Sequence, residues 1–354
     1  MTIVIFGLTI SSAWGNGHAT LWRGLCRALH QRGHQVRFFE KDVPYYAGHR
    51  DLPEPDGCTL MLYEDWGSVA GDAARAVHDA DAAVVTSYCP DGREASALTL
   101  ASNAAVKVFY DLDTPVTLAE VARGAPVPYL PEDGLAGFDL VLSFTGGQAL
   151  ERLRDTLGAR RVAPLYGSVD PERHHPVPVA AAQRSDLSYL GTYAADRQRV
   201  LEALFIEPAR RRGDLRFALA GSMYPDDFPW TRNIFYVRHM PPGDHPAFFC
   251  SSSLTLNVTR KAMADMGYCP SGRLFEAAAC GTPILSDRWP GIEEFFEPGR
   301  DILIADSTSD ALDALDLSFG ERERIAASAR ERTLSCHTAA IRASEFETLL
   351  EGVA

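Results

Sequence analysis

The chain is predicted to be an α/β protein made of two doubly wound parallel-sheet domains, on three observations. It opens with a β-α-β pattern: an apolar strand over 3–7, a helix over 18–32 and a second strand over 35–39. Short apolar runs then keep alternating with helical stretches along the chain, which calls for a parallel sheet with helices on its faces. Finally, the pattern restarts at 187–193, where a strand enters a glycine loop after a stiff, polar stretch, His174 to Pro178.

Taken in order, the first helix carries Leu21, Leu25, Ala28 and Leu29 at helical spacing and stops at Gly33. Further strands are expected over 60–63, 82–87, 106–110 and 137–143, with helices over 68–80, 93–102 and 148–158. The segment 162–170 supplies a last strand and an exit loop. His174 and His175 read as a solvated pair in an interdomain linker. The second half offers strands at 187–193, 215–220, 234–237, 254–258, 284–285 and 302–304. Its helices are expected over 196–209, 272–280, 308–315, 319–332 and 339–350. The resulting domains are 1–172 and 173–335, with 336–354 as a terminal helix.

At 354 residues there is room for two domains, and 46% hydrophobic with 23% charged residues is ordinary for a globular protein. A net charge of −13 argues against nucleic acid as a main partner and means that an anionic substrate needs local positive groups. Seven scattered cysteines with no CxxC argue against a zinc or disulfide framework and for reduced thiols in a cytoplasm. The first seven residues read as a buried strand rather than a signal peptide, and no apolar run suggests a membrane span.

Ligands of open parallel sheets sit beyond the carboxyl ends of the strands, and two such domains facing each other make the cleft between them the default site. The loops after the predicted strands hold most of the unusual chemistry. The glycine-rich loop 7–18 imitates a dinucleotide fingerprint, with Glu40 as its acidic residue. It is too long for that tight turn, however, and Thr20 stands where the third glycine belongs. The stretch around 271–276 reads as a helix N-terminus with Ser271 as cap, then Gly272 and Arg273, and Glu276 one turn in. A helix start of this kind suits a phosphate, and the carboxylate suits the hydroxyls of a ribose.

Several blocks together carry a resemblance: EKDVPYYAGHRDL at 40–52, FYDLDTPVT at 109–117, SFTGG at 143–147, LYGSVDP at 165–171, GTYAADR at 191–197, LNVTR at 256–260, and RLFEAAACGTP at 273–283 followed by WPGIEE at 289–294. The sequence resembles the two-domain, GT-B type glycosyltransferases that use nucleotide sugars (glycosyl transferases group 1), and more narrowly the spore-maturation-protein CgeB-like group. The resemblance implies two Rossmann-like domains, donor binding by the C-terminal one, acceptor binding by the N-terminal one, and a last helix that crosses back. It also implies no obligatory metal and no cofactor beyond a nucleotide diphosphate sugar as cosubstrate, with a small-molecule or glycan acceptor.

On this resemblance Glu276 grips the donor ribose. Tyr268 stands where relatives often carry an earlier glutamate. Gly191, Arg197, Arg260, Ser271, Gly272 and Arg273 are candidates for the diphosphate, since arginine forks match phosphate oxygens. His18 is the candidate general base, a role imidazole commonly fills, or only positions the sugar if the reaction is retaining. A carboxylate must orient it, and Asp111 and Asp113 both qualify. Gly15, Gly17, Asp111, Thr145, Gly146 and Trp289 complete the expected acceptor and sugar contacts, with packing as the alternative for Trp289. Asp111 and Asp113 also imitate a metal-binding DxD, which the metal-independent family accounts for better. The rival functions are a nucleotide-sugar epimerase or hydrolase of the same fold and a non-catalytic nucleotide-sugar-binding protein.

Overall fold

A computed structural model describes residues 1–353. It divides into two compact units, one formed by Met1–Gly167 with the stretch from Ala339 onward, the other by Ser168–Thr338.

The first unit is built on strands β1 (Thr2–Gly7), β2 (Gln35–Lys41), β3 (Thr59–Tyr63), β4 (Ala82–Thr86), β5 (Val106–Asp111), β6 (Leu140–Ser143) and β7 (Val162–Pro164). They pair in parallel in the order β3-β2-β1-β4-β5-β6-β7. β1 and β4 are buried almost throughout, as expected of strands with helices on both faces. The helix His18–Gln31 lays Trp22, Leu25 and Leu29 on the sheet. Ala343, Phe346 and Leu350 of the helix Ala339–Glu351 join the same core. Each such leucine or phenylalanine side chain, fully buried, contributes roughly 1.5–3 kcal/mol. Glu347 pairs with Arg32 and His34, and the buried Arg342 donates to the Tyr166 and Gly167 carbonyls.

The second unit carries β8 (Leu187–Leu190), β9 (Phe217–Ala220), β10 (Ile234–Val237), β11 (Thr255–Asn257), β12 (Ile284–Ser286) and β13 (Leu303–Ile304), all parallel, in the order β10-β9-β8-β11-β12-β13. Both sheets reverse their winding beside their first strand, between β1 and β4 and between β8 and β11. These reversals are the crevices where a doubly wound sheet takes its ligand.

Four short helices lie outside the expected elements, Pro44–Ala47, Thr114–Ala122, His245–Cys250 and Lys261–Met266. Three of them carry a proline in the first turn, where the missing N–H costs nothing. The expected solvated linker needs correction: His174 is 4% exposed and is drawn inside the second unit.

Candidate functional site

In the first unit the loop after β1 is fixed by Glu40 at the end of β2. Its buried carboxylate accepts from Thr9 Oγ1 (2.9 Å), Ile10 N (2.8 Å), Ser11 N (3.0 Å) and Ser11 Oγ (2.6 Å). That consumes the residue a dinucleotide fingerprint would offer to a ribose, so the loop is self-bonded rather than open to a nicotinamide cofactor. Gly15 turns the chain at φ 67°, a left-handed value that favours glycine, and Gly17 leads into the helix. Asn16 Oδ1 accepts from Ala19 N at 3.2 Å and ties the helix start to the loop.

This arrangement puts His18 at the switch point. Its Nε2 lies 3.4 Å from Asp113 Oδ2, its Nδ1 is buried without a hydrogen-bond partner, and its ring is 5.6 Å from that of Tyr88. Of the two carboxylates considered, Asp113 is therefore the one that orients the imidazole.

Asp111 has a different place. It is 0% exposed, and its Oδ1 accepts from Thr117 Oγ1 (3.0 Å) and Asp113 N (3.1 Å), which holds the turn that presents Asp113. A side chain with no exposed surface does not touch an acceptor, so its expected sugar contact is corrected to a structural one. The same holds for Thr145, 0% exposed in the turn braced by Ser143 Oγ, and for Trp289, 2% exposed and packed on Phe295. Gly146 lies against Tyr166, whose hydroxyl would fall 2.0 Å from an added Cβ, so it serves close packing.

Burial pushes the Asp111 carboxyl up to about 6, against the hydrogen bonds from Thr117 and Asp113. Because the folded value exceeds the unfolded one, its stabilising balance is complete below ~4 and is lost as pH rises through about 6. Asp111→Asn keeps an oxygen for Thr117 and Asp113 N and places its amide where Oδ2 has no partner. The variant is expected to gain on the parent by up to ~3 kcal/mol between about pH 4 and about pH 7. Paired thermal melts at the two pH values check this; a gap independent of pH overturns it.

In the second unit the helix Gly272–Ala279 begins at Ser271, which has the extended N-cap conformation but makes no side-chain capping bond. The helix start is thus left for another hydrogen-bond acceptor. Arg273 in its first turn donates from Nη1 to Asn257 Oδ1 at 3.1 Å and lies 5.3 Å from the Tyr189 ring centre. Burial pushes its guanidinium below the ordinary value, and the charge of Arg197 adds to that push.

Asn257 is itself held by Thr259 Oγ1 (3.2 Å) and Ser286 Oγ (3.0 Å). Asp287 accepts from Thr259 N and Oγ1 at 3.0 and 2.9 Å, joining the ends of β11 and β12. Burial raises Asp287 to about 6. This network behind Arg273 had no signal in spacing, since its members are conspicuous only once two strand ends lie side by side.

Gly191 follows β8. An added Cβ there would lie 2.9 Å from both Arg273 Nη2 and the Tyr189 hydroxyl, so its small size lets the arginine reach the loop. Arg197 donates to Thr192 O at 3.2 Å and keeps a buried Nε without a partner. Arg260 is half exposed and paired with Asp196 at 3.2 Å. Tyr268 has φ 50° and packs its ring against Gly291.

Glu276 lies one turn along the helix. His245 Nδ1 is 3.6 Å and His174 Nε2 4.0 Å from its Oε2. Burial pushes the Glu276 carboxyl up, but the two imidazoles and Arg273 outweigh it and hold the group below the usual glutamate range. Burial also disfavours the charged form of His174. His174 is buried because it belongs to this cluster, which explains the corrected linker. The three side chains are also the group able to hold a metal ion among the described residues.

Residues 197–348 match a family model described as glycosyl transferase-like. No curated protein matches the chain. Among solved structures, sucrose-phosphate synthase from Thermosynechococcus elongatus superposes with a TM-score of 0.75 at 13% identity, covering 99% of this chain and 98% of that one. Anabaena HepE in complex with UDP and glucose gives 0.66 at 13% identity, over 99% and 100%. The trehalose-6-phosphate synthase OtsA gives 0.67 at 13%, over 100% and 99%. The fold is therefore that of the GT-B glycosyltransferases. Among the described residues no helix is long and apolar enough to cross a membrane.

Proposed function

We propose that this chain, whose residues 197–348 match the glycosyl transferase-like family within a GT-B fold, transfers a hexose-type sugar from a UDP- or TDP-sugar to a small-molecule or glycan acceptor. The observation that carries the proposal is the uncapped helix start at Ser271, with Arg273 half-buried beside it and Glu276 held ionised one turn on. Two arginines that raise each other's cost call for an anion, and a diphosphate supplies one. Glu276 then accepts from the ribose hydroxyls. Arg273, Arg197 and the helix N–H groups stabilise the charge that develops on the leaving diphosphate, the part a metal plays in other transferases.

In the first unit His18, oriented by Asp113, is the base that takes the acceptor hydroxyl proton. This pair favours a transferase over a silent nucleotide-sugar-binding protein. The narrower CgeB-like assignment and a cytoplasmic, metal-independent enzyme belong to the same proposal and rest on the sequence blocks.

The test is calorimetry with UDP, TDP, GDP and NAD. UDP or TDP is expected to bind at one site per chain and NAD not at all; absence of binding by every nucleoside diphosphate overturns the proposal.

A further inference from the structure

The cluster around Glu276 brings three metal-ligand side chains together. His245 Nε2 is 3.2 Å from the Met240 carbonyl, so that nitrogen carries the hydrogen and donates it. Its other nitrogen, Nδ1, faces Glu276 Oε2, 3.6 Å away. His174, 4% exposed, turns Nε2 toward the same oxygen at 4.0 Å, and neither of its ring nitrogens has a hydrogen-bond partner. Three ligand atoms thus point at one another, all within 4.8 Å.

We infer that His174, His245 and Glu276 form a binding site for a borderline divalent cation of the zinc class. Two imidazoles and one carboxylate are a familiar donor set for such an ion, and ligand bonds of about 2.0–2.2 Å put tetrahedral donor atoms about 3.4 Å apart. The His245–Glu276 separation is already close to that, and the other two close by small side-chain rotations. The Met240 carbonyl supplies the outer hydrogen bond that fixes the tautomer of a ligating histidine.

The fourth position stays open. The cation engages Oε2 and leaves the other carboxylate oxygen for a ligand. Only this last link rests on the ribose assignment proposed above; the cation site stands on its own three residues. It lies apart from leaving-group stabilisation, which falls to the arginines.

Cobalt(II) reports the site through its visible absorption, and zinc through displacement of cobalt. Protein stripped with EDTA and dialysed is expected to bind one cobalt per chain, with the intense band of a four-coordinate ion, and zinc is expected to abolish that band. His174→Gln and His245→Gln should each lose the band while melting like the metal-free parent. Absence of saturable cobalt or zinc binding overturns the inference. Retention of the band by both variants overturns it equally. UDP calorimetry on the metal-free parent is read separately: nucleotide binding without metal binding removes the cation site alone, and metal binding without nucleotide binding removes the donor assignment alone.

Discussion

Replacing His18 by alanine is expected to lower turnover by about 10²–10⁴-fold, the usual worth of a positioned general base, while leaving UDP affinity unchanged. The separation of effects follows from where the residues sit. His18 and Asp113 belong to the first unit, whereas Arg273 and Glu276 belong to the second. The His18 ring is held by Asp113 at 3.4 Å and flanked by Tyr88, and its Nδ1 has no other claim on it. Removal of the imidazole therefore removes a proton acceptor and leaves the residues of the second unit unchanged. Release of UDP or TDP from a panel of nucleotide sugars gives turnover, and calorimetry gives affinity. Asp113→Asn should reproduce part of the loss, since it leaves the imidazole in place but weakens its orientation. Unchanged turnover in His18→Ala removes the histidine from the mechanism.

Glu276→Ala is expected to weaken UDP binding by about a hundredfold, from the loss of hydrogen bonds between a charged acceptor and the ribose, worth about 1.5–3 kcal/mol each. Two features make the loss specific. The carboxylate is held ionised against its own burial, and it lies one turn beyond an uncapped helix start. The sharper readout is discrimination. The parent should prefer UDP over a 2′,3′-dideoxy analogue, and the variant should bind the two alike. If Glu276→Ala keeps the preference, the ribose assignment is wrong even when overall affinity falls. Glu276→Gln controls for the space left between His174 and His245.

Much of the fold was legible because it rests on local periodicity. Alternating apolar strands and amphipathic helices specify parallel sheets, and the strands from β1 to β6 fall within a few residues of the expected positions. The segments missed were short. Thr114–Ala122 starts on a proline and has no sustained apolar stripe, and His245–Cys250 is under two turns long. Neither length carries a periodic signal.

The candidate site was legible in part for the same reason. Ser271 to Glu276 form one continuous stretch, so the helix start and the residues of its first two turns read directly from order. Asp111 and Asp113 did not separate. They are two residues apart, and only the turn from β5 into the following helix buries one and presents the other to His18. Thr145 and Trp289 looked like contacts because they stand in polar loops, yet each folds back into its unit.

By itself, then, the sequence determined the two α/β units, the glycine turns and the helix that begins at Ser271, all properties of neighbouring residues. Only the tertiary structure decided which carboxylate meets His18, which side chains brace Arg273, and that His174 and His245 converge on Glu276. Those choices depend on which strand ends lie side by side. A sheet that reverses its winding joins residues far apart in the chain, and no local pattern records that.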